Sequence, residues 1–140
     1  MDERLELAYL RLERARESLT TAENVLNLLD DPKTAANRTY YGVFHGMRSM
    51  LALLGLDSKK HSGIIAQFTY QYLRPAILNP AYSKLIVQLF DMRQNSDYDD
   101  FFEIHAEEVE LLLAQAKQFL ADIEIHLQTT TQEYPIAKLQ

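Results

Sequence analysis

Arg38 and His45 stand seven residues apart in the segment NRTYYGVFHGMRSM (37–50), so on a helix their side chains project within about 20° of each other. Tyr41 and Arg48 each follow one of them by three residues and extend the same line. A guanidinium, a phenol and an imidazole in register can bind an oxyanion and move a proton. The same residues also fit a structural network, with a half-buried His45 hydrogen-bonded to Tyr41, Asp97 or Tyr98. Two further segments carry polar groups of this kind: Lys60-His61-Ser62-Gly63, and LFDMRQNSDYD (89–99) with Arg93, Asp97 and Tyr98.

The elements that position these groups are helices. Leu5, Ala8, Leu12, Ala15, Leu19, Ala22, Leu26 and Leu29 alternate steps of three and four, a seam for close packing against a neighbouring helix. The spacing predicts a first helix from Asp2 or Glu3 to Leu29. Asp31-Pro32 is a cap followed by a first-turn proline, so a second helix, Pro32 to Leu54, returns antiparallel after a very short turn. On it Tyr40, Val43, Phe44, Met47, Leu51 and Leu54 form an apolar face, while Gly42, Ser49 and Ala52 leave room for another backbone or a ligand. Gly55 is the natural stop. A short helix over Ser62–Tyr72 follows, then one over Pro80–Ser96 and a last one over Glu103–Gln128. The expectation is an all-α, up-and-down four-helix bundle with an additional short helix, spanning residues 1–128, and a flexible tail over 129–140. Arg93 sits at the end of an apolar stripe with Asp97 one turn on, which predicts a partly buried Arg93–Asp97 pair. Because both sets lie on or beside apolar faces, Arg38, Tyr41 and His45 are expected to meet Arg93, Asp97 and Tyr98 in one polar pocket.

The 140 residues suit one domain with a sizeable core. Cysteine is absent, which excludes disulfides, thiolate catalysis and Cys-built zinc sites. His105 with Glu108 is the closest approach to a helical metal pair, and no metal or other cofactor is expected. No run approaches a membrane span, and the charged start MDERLELAYL lacks a hydrophobic signal segment, so the expected location is the cytoplasm. The net charge of −6 is unevenly spread: residues 33–93 hold eight basic groups against two acidic ones, between two acidic ends. Such a basic middle fits a phosphate-binding face, with Arg48 and Lys60 at its edge, and it equally fits charge complementarity between neighbouring helices or a dimer contact.

Three segments together resemble the HEPN family (higher eukaryotes and prokaryotes nucleotide-binding): the Arg-x-Tyr-Tyr-x-x-Phe-His order from Arg38 to His45, Lys60 to Gly63, and Leu89 to Asp99. The resemblance covers residues 5–127. It implies a helical bundle that forms a homodimer, and a toxin-like component paired with a nucleotidyltransferase antitoxin. Such a protein would act by partner, nucleotide or RNA binding. The alternative is a metal-independent endoribonuclease with His45, Arg38 and Arg93 as the catalytic groups. Tyr41, Arg48, Asp97, Tyr98, Lys60 and His61 would then contact the substrate. The family's nuclease motif is an Arg followed within a few residues by His. Arg93-Gln94 matches its start, but Tyr98 stands where the imidazole would, and His105 is too far on.

Overall fold

The computed structural model describes residues 2–133. Five helices follow one another: α1 (Glu3–Leu29), α2 (Pro32–Ala52), α3 (His61–Phe68), α4 (Tyr82–Tyr98) and α5 (Ala106–Glu133). Among the described residues there is no strand. The Asp2 carboxylate caps α1 by accepting from the Arg4 N–H at 2.8 Å. Asp30 closes α1 in the left-handed region (φ 50°), and Asp31 opens α2, accepting from the Thr34 N–H and hydroxyl at 3.1 and 2.7 Å. These hydrogen bonds hold the Asp31 carboxyl below the usual carboxylate range. Two residues thus join the helices into an antiparallel hairpin, as the cap and proline predict.

Helix α2 is the hub, with α1, α3, α4 and α5 all packed on it. The expected apolar face is buried at Tyr40, Val43, Phe44, Met47 and Leu51. Leu54 lies beyond the helix and is exposed, because α2 stops at Ala52 in a glycine-terminated motif. The Leu56 N–H reaches Leu51 O at 3.0 Å and the Gly55 N–H reaches Ala52 O at 3.1 Å, with Gly55 at φ +68°. The small residues on the other side admit a backbone: Ser49 Oγ donates to Ala8 O of α1 at 2.6 Å. A Cβ added to Gly42 would fall 2.3 Å from Leu19 Cδ2 and 3.3 Å from Ala15 O. One added to Gly46 would fall 2.8 Å from Leu120 Cδ2 of α5.

The α1 seam is buried from Leu5 to Leu26, but Leu29, the last residue of the helix, is 71% exposed. The short third helix does not end regularly. It passes into a π turn over Thr69–Leu73, in which the Arg74 N–H bonds Thr69 O at 2.9 Å. There the buried Tyr72 hydroxyl donates to Met50 O at 2.7 Å, serving a carbonyl near the end of α2. Burial pushes the Tyr72 phenol up to about 12.

Helix α4 starts two residues later than Pro80, because Asn79 caps a separate turn, its side chain accepting from the Ala81 N–H at 3.0 Å. It also runs on through Ser96 to Tyr98, where a loop was expected. Helix α5 begins at Ala106 rather than Glu103 and continues to Glu133, past the expected end at Gln128. Its buried face, Val109 to Leu127, is the expected one. The remainder of the expected tail, 134–140, lies outside the described residues.

Gly42→Val should test the close α1–α2 approach. Forcing a branched side chain against Leu19 and Ala15 should lower stability by about 1–3 kcal/mol, read by denaturant unfolding. An unchanged midpoint would show that the seam has slack.

Candidate binding grooves around helix α2

Arg93 is half-buried and reaches from α4 onto two consecutive tyrosines of α2. Its guanidinium carbon lies 5.1 Å from the Tyr40 ring centroid and 5.3 Å from that of Tyr41, and Nη2 donates to the Tyr41 hydroxyl at 3.1 Å. Its Nε is buried without a partner. The expected Arg93–Asp97 pair does not form, because the aromatic faces hold the guanidinium against α2 while Asp97 is exposed. Tyr40 is fixed in turn: its hydroxyl and His61 Nδ1 are 2.7 Å apart, and the His61 ring lies tilted against that of Phe44, centroids 4.2 Å apart. Burial, only partly offset by the neighbouring Arg93, pushes the Tyr40 phenol up to about 12.

Beside Arg93 lies a groove of about 300 Å³ between α2 and α4, lined by Lys33, Asn37, Arg38, Ser96, Asp97 and the stem of Met92 among others. Three cations face one carboxylate there, and no imidazole lines it. Arg38, exposed and 5.7 Å above the Tyr41 ring, also lines a second groove of about 290 Å³ on the other side, between α1 and α2. Arg14, Glu17, Ser18, Thr21 and His45 complete the second groove.

His45 is half-buried with Nδ1 enclosed and unpaired; the Tyr41 hydroxyl expected for it accepts from Arg93 instead. The Tyr41 ring stands between the two expected sets, 6.2 Å from the His45 ring on one side and bonded to Arg93 on the other. Burial first, then Arg48, Arg14, Arg11 and His61, lower the His45 pKa from 6.5. Burial, Arg93 and Arg48 do the same to His61.

The remaining expected residues are dispersed. Arg48 turns to the end of α2, where its Nη2 donates to Asp57 at 3.3 Å. The largely buried Arg11 joins it there, 3.6 Å from Asp57 and donating to Arg48 O at 3.1 Å. These guanidiniums and the Ser58 N–H hold the Asp57 carboxyl low, against its partial burial. Lys60 is exposed at the start of α3 and lines neither groove. Tyr98 is 87% exposed and lines neither. Hence, of the residues expected in one pocket, Arg93 and Asp97 line one groove, His45 lines the other, Arg38 lines both, and Tyr41 and Tyr98 line neither. Lys33 and Asn37 in one, and Arg14, Ser18 and Thr21 in the other, were not anticipated. Lys33 and Asn37 stand four residues apart on one face of α2, a signal available in the sequence; the α1 residues become neighbours of His45 only through the hairpin register.

A HEPN domain model matches residues 8–126. The chain is 32% identical over 121 residues to "Putative toxin MJ0142" of Methanocaldococcus jannaschii, covering 83% of this chain and 82% of that one. It is 32% identical over 111 residues to a UPF0332 protein of Thermotoga maritima, covering 79% and 83%. A second toxin-named protein of M. jannaschii, "Putative toxin MJ0605", is 29% identical over 113 residues, covering 78% and 80%.

Because both histidines have folded-state pKa values below 6.5, the unfolded chain binds more protons just beneath that pH. Stability should therefore be fully present above 6.5 and fall as the solution is acidified through the lowered values. His45→Gln with His61→Gln should flatten the slope in the acid window just below about pH 6.5. Parallel unfolding curves across that window for wild type and the double variant would contradict the assignment.

Proposed function

Since the chain belongs to the HEPN family, we propose that it is a toxin-like HEPN protein that binds a nucleotide or RNA through the basic surface of α2, in a pair with a nucleotidyltransferase antitoxin. The observation that carries the binding reading is the α2/α4 groove, where Arg93, immobilised on Tyr40 and Tyr41, joins Lys33 and Arg38. A fixed guanidinium beside two further cations suits a phosphate and is already ordered before the ligand arrives. Proton transfer is less well served. The groove lacks an imidazole, and His45 opens on the opposite groove beside Arg38. Its lowered pKa leaves it neutral at pH 7, a candidate base without an evident acid. The endoribonuclease reading keeps one support, that a strand passing Arg38 would meet both grooves.

The protein belongs in the cytoplasm on this reading; among the described residues no helix is long and apolar enough to cross a membrane. A homodimer is the simplest cover for the side chains at the end of α4, where Tyr98 and Phe101 are 87% and 92% exposed. Sedimentation at micromolar concentration should therefore show twice the 16.2 kDa chain, and Tyr98→Ser with Phe101→Ser should return the monomer. A wild-type monomer at that concentration ends the dimer proposal.

Function is tested by incubating the purified protein with total RNA and tRNA in the presence of chelator. The expected result is salt-sensitive retention without cleavage, weakened roughly tenfold by Arg93→Gln or Arg38→Gln. Cleavage that disappears in His45→Ala would replace this reading with the ribonuclease.

A further inference from the structure

The α1/α2 groove is a built polar site whose parts the structure leaves without mutual satisfaction. Neither Arg14 nor Arg38 has an ion-pair partner among the described residues, and both line its wall with the hydroxyls of Ser18 and Thr21. Glu17 is the carboxylate on that wall, so two guanidiniums face one acid. Arg11 and Arg48 stand beyond His45 and share the single Asp57.

His45 supplies the donor chemistry. Its Nδ1 is buried with no partner, and burying an unpaired N–H is costlier than burying an unpaired acceptor. The proton of the neutral ring therefore belongs on Nε2, the nitrogen left for the groove. A neutral imidazole so arranged offers an N–H without needing charge. Burial, and then the surrounding guanidiniums of Arg48 from α2 and Arg14 and Arg11 from α1, disfavour a second proton.

We propose that the α1/α2 groove is a phosphate-binding subsite, in which Arg14 and Arg38 flank the anion and His45 Nε2–H, Ser18 and Thr21 donate to it. The phosphate is that of a free nucleotide or of an RNA backbone; only this choice of source rests on the function proposed above. Arg38, shared by both grooves, would then set the spacing between this phosphate and one beside Arg93.

The test is an NMR titration of the full chain, following the His45 ring. The probes are inorganic phosphate, a nucleoside 5′-monophosphate and a short single-stranded RNA. A saturable His45 shift is expected with phosphate or the monophosphate if the source is free, and with RNA alone if it is the backbone. In either case the His45 pKa should rise on binding, as the anion offsets the neighbouring cations. Arg14→Gln, an exposed position, should weaken the response roughly tenfold, the size of one charge-assisted hydrogen bond. Retention should survive in His45→Gln, whose amide N–H replaces Nε2–H, and fall in His45→Leu. A His45 ring unmoved by all three probes overturns the subsite, as does an unchanged affinity in Arg14→Gln. RNA retention that depends on Arg93 while His45 stays silent removes this subsite and leaves the earlier reading intact. A His45 response to inorganic phosphate, with no retention of nucleotide or RNA, does the reverse.

Discussion

The constraint on which everything else depends is how closely neighbours approach α2. At Gly42 and Ser49 the backbone of α1 comes within van der Waals and hydrogen-bond distance, and at Gly46 the side chains of α5 do the same. With Tyr40, Phe44, Met47 and Leu51 buried beneath, the helix is enclosed over most of its circumference. What escapes is a narrow line through Arg38, Tyr41, His45 and Arg48. Those side chains have no room to fold back on a core already filled at close-packed density, so they project into the two seams flanking the helix. The grooves follow from this enclosure.

Fixing Arg93 is a separate achievement of the aromatic residues. A guanidinium on a long stem ordinarily loses considerable rotamer freedom when it binds. Here Tyr40 and Tyr41 have already ordered it, and the contact from His61 orders Tyr40. The start of α3, the middle of α2 and the end of α4 thus meet at one set of rings. His61, expected to contact substrate, acts from behind those rings, and Lys60 next to it stays in solvent.

Helix number, order and core faces were legible because apolar spacing and cap chemistry are local. The alternating steps on α1, Asp31-Pro32 and Gly55 each have a direct structural counterpart. Termini governed by context were less legible. The π turn at Thr69–Leu73 places Tyr72 on the Met50 carbonyl of α2, a contact across the bundle that periodicity does not encode. The site was half legible. That Arg38 and His45 share a face followed from helix geometry; that Tyr41 would stand between His45 and Arg93 did not. Arg93 and Asp97 are one turn apart and look like a pair in sequence, yet the aromatic faces compete for the guanidinium and prevail. Arg14, Ser18 and Thr21 needed the antiparallel register that sets Ser49 against Ala8, information held in neither helix alone.

The two-residue connection between α1 and α2 has a kinetic corollary. A hairpin closed by so short a loop forms with little entropic cost of closure, and its contacts are among the most local in the chain. The α1/α2 groove is assembled wholly from these helices, whereas the α2/α4 groove waits for a segment more than forty residues downstream of α2's midpoint. One cationic surface thus rests on local contacts alone, whereas the other depends on a long-range closure that brings Arg93 to its tyrosines.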